Sequence, residues 1–145
     1  MATIPDLWSD DIKVDVVTPL AILLAQVGPM QRKTKGLLQA EVTTTTSNGG
    51  WVKHQLDLIA PVLDGYRHRL LAATHERDLV YPVQVDAECF EVSSAEARAH
   101  TEEEFIGIVS IALHSHQVRS IIQSLIARSN ERRGNTAVSE PGKQE

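Results

Sequence analysis

Histidine and tyrosine side chains in alternating segments are the first places where this sequence could support chemistry. His54 lies in one segment of alternating polar and apolar residues, His68 and Tyr66 lie in the next, and Tyr81 lies in the one after. Imidazole changes charge near neutral pH and can act as a general acid or base. On neighbouring strands these four side chains would share one face and line a polar pocket. The alternative is that each makes only a structural hydrogen bond, as buried polar groups normally do.

Other reactive groups are sparse. His114 and His116 form a His-x-His pair, but no His-Glu-x-x-His or Cys-x-x-Cys frame accompanies them, so we expect no metal site and no cofactor. Cys89 has acidic neighbours such as Glu88, which disfavour a reactive thiolate. The sequence has no serine nucleophile elbow, phosphate-binding loop or dinucleotide-binding glycine pattern. These patterns make an enzyme the less favoured interpretation.

The alternation that carries the histidines extends over residues 37–90 and predicts a four-stranded antiparallel meander. Turn residues separate the runs: Ser47 to Gly50 after the first, Pro61 to Gly65 after the second, and a polar turn from His75 to Asp78 after the third. In the third run either side-chain phase could face inward. Pro82 cannot donate to a ladder and predicts an edge strand or a bulge. The predicted strands are residues 38–45, 52–60, 66–74 and 79–87.

Helical patterns flank the meander. Thr18 and Pro19 are a strong helix start, and Gly28-Pro29 predicts a kink or break further along. After a polar linker or short helix over residues 92–99, a capping box at Thr101 opens two amphipathic helices. The sequence therefore predicts an α+β fold: an N-terminal helix, the meander, and two C-terminal helices packed on one sheet face. We expect one domain over residues 1–129 and a disordered tail over residues 130–145.

Composition narrows the class of protein. With 145 residues, 42% hydrophobic content and a net charge of −5, the chain is typical of a soluble globular domain. We expect no nucleic-acid partner, since binding to nucleic acid favours a basic surface. One cysteine fits a reducing cytosol. The most apolar run, residues 16–27, follows acidic residues instead of the basic residues of a secretory signal, and it is too short to span a bilayer. We therefore expect a cytoplasmic protein that does not associate with a membrane.

Two surfaces are candidates for binding a partner protein. A basic turn before the meander, together with arginines of the third run, predicts a patch that favours an acidic partner or phosphate, although lone charge runs usually only face water. The apolar stripe of the last helix, if the sheet does not cover it fully, predicts a dimer or partner groove. The predicted partner-binding residues are Arg32, Lys33, Lys35, Arg67, Arg69, Ile122 and Ile126.

These patterns predict a small non-enzymatic interaction protein of bacterial type, such as an adaptor, an immunity-like factor or a secretion-chaperone-like binder. The comparison is one of architecture, which does not fix function. The expected partner is a protein whose identity the sequence does not give. A homodimer is also plausible on this pattern, because the helices carry more apolar surface than the sheet can cover. The alternative function is a small ligand-binding or hydrolytic domain that uses the predicted histidine–tyrosine pocket between sheet and helices.

Overall fold

The fold is α+β, as the sequence predicts. The structure is a computed structural model that describes residues 3–87 and 97–139, with side chains through residue 134. Two short helices precede an antiparallel sheet, and two further helices follow it. The strand order is β1-β2-β3-β4-β5, so each strand pairs with its neighbour in sequence. The elements are α1 Pro19–Leu24, α2 Val27–Lys33, β1 Gln39–Thr46, β2 Trp51–Ala60, a 3-10 turn Pro61–Leu63, β3 Tyr66–Glu76, β4 Leu79–Asp86, β5 Arg98–Ala99, α3 Glu102–Leu113 and α4 His116–Ser139.

The first helical segment is interrupted, as Gly28-Pro29 predicts. The Thr18 hydroxyl accepts the Ala21 N–H at 3.1 Å and caps α1, with Pro19 in its first turn. α1 ends at Leu24 and α2 begins at Val27, so the break lies just before Gly28. Pro29 therefore sits in the first turn of α2, where its missing N–H leaves no helical hydrogen bond unmade.

The hairpin turns adopt backbone conformations that their residues favour. Gly50 has φ of 86° in the first turn, and its N–H donates to the Ser47 carbonyl at 3.2 Å. In the second turn Asp64 has φ of 60° and Gly65 has φ of 72°. Glycine reaches these positive φ values without strain, and aspartate is among the residues that tolerate them. The turns fix the antiparallel register of β1, β2 and β3.

A fifth strand joins the predicted four. β5 contains only Arg98 and Ala99, and it pairs with β4 through Gln84 and Val83. The sequence predicted a linker or short helix over residues 92–99, of which residues 92–96 lie outside the described ranges. Two residues are too few for a visible alternation, which explains why the sequence pattern missed this strand. Pro82 lies in β4 where its ladder with β3 is irregular, as one of the two predicted alternatives required.

The core lies between one face of the sheet and the helices. Leu58 and Val85 from the sheet, Leu23 from α1 and Phe105 from α3 have no exposed surface. α4 contributes buried Val118 and Leu125, with partly buried isoleucines between them.

The last helix is longer than its sequence predicts. α4 continues to Ser139, although the sequence predicted a disordered tail from residue 130. Polar composition favoured a tail, but a helix that has already nucleated extends by one hydrogen bond per residue. Residues 130–139 are therefore helical, and residues 140–145 lie outside the described structure.

Candidate functional site

A β-bulge in β3 decides which histidine lies beside His54 on the inner face of the sheet. The ladder between β2 and β3 shifts at Leu56/Asp57, and Leu70 is the extra residue on β3. An extra residue reverses the alternation of side chains beyond it, because the side-chain period of a strand is two. His75 consequently turns inward and is 5% exposed, beside His54, which is 4% exposed. Both predicted phases of the third run are therefore used, one before the bulge and one after it.

The two imidazoles belong to a continuous chain of hydrogen bonds. His54 Nδ1 lies 2.8 Å from Thr44 Oγ1, and His54 Nε2 lies 2.9 Å from His75 Nε2. His75 Nδ1 lies 2.7 Å from the carbonyl oxygen of Glu76. Because a carbonyl oxygen only accepts, we assign the Nδ1 proton to His75; in the neutral pair His75 Nε2 then accepts from His54, and His54 Nδ1 accepts from the Thr44 hydroxyl. All four ring nitrogens have a partner in this assignment.

The neutral state of His54 is favoured by its surroundings. Burial, and after it the neighbouring His75, lowers the pKa of His54 below 6.5. A proton added to His54 Nδ1 would force the Thr44 hydroxyl to turn from donor to acceptor. A proton added between the two Nε2 atoms would remove the hydrogen bond that joins the rings. Chemically, the pair links β1, β2 and the end of β3, and it offers no unoccupied nitrogen to a substrate.

His68 is not the partner of His54 that the sequence predicted. It lies opposite Leu58, and Leu58 is four residues along β2 from His54, or about 13 Å of extended chain. The bulge assigns the position beside His54 to His75 instead. The sequence placed His75 in a turn, and the available signal for a shift in phase was the run Leu70 to Ala73, four consecutive apolar residues in an otherwise alternating segment.

The two tyrosines also lie apart from the histidine pair. Tyr66 is 46% exposed at the start of β3. The Tyr81 hydroxyl donates to the Val17 carbonyl at 2.9 Å, while the Val17 N–H donates to Glu102 Oε1 at 2.9 Å. Burial, and then the charges of Glu102 and Glu103, raises the pKa of Tyr81 to about 12. We call the contacts of Val17 with Tyr81 and Glu102 the clasp; they hold the chain just before α1.

The space between sheet and helices is apolar. It contains a cavity of about 270 Å³, which none of the four predicted histidine and tyrosine residues lines. The structure therefore does not assemble the predicted polar pocket within the described residues. The cavity is lined by Gln26, Pro29, Met30, Lys33, Ala40, Leu56, Leu58, Leu70, Leu113, His114, Val118 and Ile122.

The arginines of β3 face the opposite side of the sheet. Arg67 lies 2.8 Å from Asp57 and 2.6 Å from Glu41, and these two carboxylates raise its pKa, Asp57 more than Glu41. The carboxylate of Asp57 is almost fully buried and also accepts from the Gln55 amide at 3.0 Å. Arg69 makes a longer contact of 3.7 Å with an exposed carboxylate, that of Asp86. Since acidic side chains offset both arginines, they do not extend the predicted basic patch.

The other predicted partner-binding residues lie on the helical side. A groove of about 450 Å³ runs between the end of α2 and α4, and Lys33, Lys35 and Arg133 contribute its cations. We call it the basic groove. Ile126 lines it, Ile122 lines the cavity under the helices, and Arg32 lies in the last turn of α2. The remaining described residues of the basic groove, Thr34, Leu37 and Asn130, carry no charge.

A second groove, between α1 and α3, was not predicted. Its volume is about 350 Å³, and we call it the helical groove. Ile106 lines it at 51% exposure, and Leu24, one residue before the lining Ala25, is 50% exposed. Of these two helices only α3 was predicted to be amphipathic, and its spacing from α1 in the fold leaves Ile106 uncovered. The groove is lined by Val17, Ala21, Ile22, Ala25, Gln26, Ile106, Val109, Ser110, Leu113 and His114.

The segment before the clasp is the most exposed apolar part of the described chain. We call residues 3–17 the arm; they form no helix or strand. Trp8 is 78% exposed and Val14 is 98% exposed, although such side chains are normally buried. The other exposed large hydrophobic residues of the arm are Ile4, Leu7, Ile12, Val16 and Val17.

Two further features bear on the candidate chemistry. Within residues 3–87 and 97–139, no group of three or more His, Cys, Asp or Glu side chains is arranged to hold a metal ion. Cys89 lies outside those ranges.

No single described helix is long and apolar enough to cross a bilayer. Helices α3 and α4 reach the length and apolar composition of a span only when taken together, and they are bent by 53° relative to each other.

Comparison with known proteins adds no family. No family model matches the chain, and neither the curated proteins nor the solved structures contain a significant match.

Proposed function

We propose that this protein is a non-enzymatic interaction module that binds an apolar segment of a partner protein in the helical groove. The observation that carries the proposal is the uncovered apolar wall of that groove. Of its lining residues, Ile106 is about half exposed, and Ala21 and Ala25 are also exposed. Exposed apolar patches on small domains commonly mark binding surfaces, because water leaves them favourably when a partner arrives.

The charges near the groove define the partner further. Glu102 and Glu103 lie in the first turn of α3, and Glu102 accepts the N–H of Val17, a residue that lines the groove. A ligand with a lysine or arginine next to its apolar side chains would complement these carboxylates. The ligand we propose is therefore an apolar segment with a basic residue at the end that meets α3.

The histidine pair supports this proposal over a ligand-binding or hydrolytic function. His54 and His75 satisfy each other, and His68, Tyr66 and Tyr81 do not join them. A general base must reach its substrate within hydrogen-bond distance, and neither buried imidazole has a nitrogen directed to open space. A cytosolic location remains part of the proposal, on the basis of the single cysteine.

The test compares two positions of α3. A random peptide library would be selected on the wild-type protein, and the enriched peptides measured against Ile106→Glu and Ile111→Glu. Ile111 is on the same helix and is 66% exposed, but it does not line the groove, so it controls for a new carboxylate on α3. We expect enriched peptides to be apolar and basic, to lose at least tenfold in affinity with Ile106→Glu, and to keep it with Ile111→Glu, about 1.4 kcal/mol of difference.

Two results would overturn the proposal. One is selection that enriches no apolar, basic sequence. The other is binding that Ile106→Glu leaves unchanged, because the bound peptide would then lie elsewhere. Amide chemical shifts of Ala21 and Ala25 provide the second readout, since they line the groove on α1 and should move when peptide binds.

A further inference from the structure

We infer that the arm of one copy binds the basic groove of a second copy, which makes the protein a dimer by reciprocal exchange of arms. This goes beyond the proposed function, because it uses a different groove and a different ligand. The first observation is the chemistry of the arm. It contains four aspartates, at residues 6, 10, 11 and 15, and one lysine, Lys13, for a net charge of −3. Its large apolar side chains alternate with these acids along the chain.

The basic groove has the complementary chemistry. Lys33 and Lys35 border it from the end of α2, and Arg133 borders it from α4. Leu37 and Ile126 supply apolar lining between the cations. Its lining, as far as the described residues show, includes no carboxylate that would repel an acidic segment. An acidic and apolar chain therefore gains both charge pairing and burial in this groove.

The clasp makes the arm available for such an exchange. Val17 is fixed through Tyr81 and Glu102, so the base of the arm has a defined position on the domain. Beyond that base, Trp8 is 78% exposed and Ile4 and Leu7 are each 84% exposed. The arm makes local contacts instead: the Trp8 N–H donates to Asp6 at 3.0 Å, and the Ser9 hydroxyl donates to Asp11. An extended segment from residue 3 to residue 16 can reach about 45 Å, which is enough to cross to a neighbouring molecule.

Symmetry favours the reciprocal arrangement. Each copy carries one arm and one basic groove, so two copies that exchange arms satisfy both arms and both grooves around a two-fold axis. Two such contacts reinforce each other, since the second forms within an already assembled pair. Homodimers with closed symmetry are also the most common oligomers of soluble proteins.

The experiment is a charge swap in the full chain. The molar mass of the wild type, of Asp6→Lys/Asp10→Lys/Asp11→Lys, of Lys33→Glu/Lys35→Glu/Arg133→Glu, and of the variant with both sets would be measured by light scattering across a range of concentrations. We expect the wild type at twice the chain mass of 16.0 kDa, each single set as a monomer, and the combined set as a dimer again. Added salt should weaken the wild-type dimer, since screening shortens the Debye length from about 10 Å at 0.1 M to about 3 Å at 1 M.

Controls separate this inference from the alternatives. Lys53→Glu/Arg77→Glu reverses cations of β2 and the turn after β3, outside the basic groove, and should leave the dimer intact. A wild type that stays monomeric at every concentration would overturn the inference. This holds also if the arm binds the basic groove of its own copy, because no dimer would then form. A dimer that survives either charge reversal would also overturn it. The peptide measurements on the helical groove do not depend on these outcomes, so failure of one proposal leaves the other testable.

Discussion

The two histidines of the buried pair should contribute to stability as a unit and not independently. His54→Phe removes the donor to His75 Nε2 and leaves that buried acceptor without a partner. An unsatisfied buried group costs about 1–3 kcal/mol, whereas replacing both partners by apolar groups of similar shape can be nearly neutral. We therefore expect His54→Phe to lower the free energy of unfolding by about 1–3 kcal/mol. The double variant His54→Phe/His75→Phe should lose less than the sum of the two single variants.

The assay is urea unfolding followed by far-ultraviolet circular dichroism, with the four proteins forming a double-mutant cycle. A coupling energy of at least about 1 kcal/mol between His54 and His75 is the expected result. His116→Gln, at an exposed histidine of α4, serves as the control and should change the unfolding free energy little. Single-variant costs that simply add would refute the shared hydrogen bond, because independent side chains show no coupling.

The pH dependence of stability gives this prediction a second readout. The folded pKa of His54 lies below its unfolded value of 6.5, so its neutral state contributes stability above pH 6.5. As the pH falls below 6.5 the unfolded chain takes up a proton that the folded chain does not, and stability is lost at up to about 1.4 kcal/mol per pH unit until the folded pKa is reached. The double variant should lose this part of the slope. An unchanged slope would refute the assignment of His54 as the titrating group.

Three further predictions concern other contacts. Arg67→Ala should destabilise the fold more than Arg69→Ala in thermal unfolding, because only Arg67 compensates a buried carboxylate; equal losses would contradict this. In Tyr66→Phe, which leaves Tyr81 as the one tyrosine of the chain, absorbance titration should give a pKa of about 12, and ionisation near 10 would show that Tyr81 is not buried at the clasp. Phe105→Ala should lower the free energy of unfolding by about 3–5 kcal/mol, since Phe105 has no exposed surface. Denaturant titration measures this loss, and a clearly smaller value would contradict the packing of Phe105 in the core.

The sequence was sufficient for the strands and helices where a period extends over many residues. The alternating runs gave β1, β2 and β4 with their inward faces, and the residues at Thr18 and Thr101 gave the starts of α1 and α3, where each hydroxyl accepts a backbone N–H. These features depend on local chemistry, which a sequence displays directly. The two-residue strand β5 depends on a distant neighbour, and no local pattern announces it.

The candidate site could be predicted only in part. The sequence placed His54 on the inward face correctly, but its partner depends on where β3 carries an extra residue. That position is set by pairing with β2 and by packing, which are properties of the assembled sheet. Similarly, Arg67 was grouped with Lys33 because both are basic, whereas the fold places them on opposite sides of the sheet and supplies Arg67 with two carboxylates.

The bulge also constrains how this chain can change in length. Leu70 lets the first half of β3 present Arg67 outward and the second half present His75 inward. Deleting Leu70 itself would restore a regular ladder and leave His75 inward, because the loss of one residue and the loss of the bulge cancel in phase. A one-residue deletion elsewhere in the strand that leaves the bulge in place would instead turn the imidazole to water and direct the Glu76 carboxylate at the core. In the lineage of this protein we therefore expect the loss of one residue between Arg67 and His75 only together with the loss of the bulge.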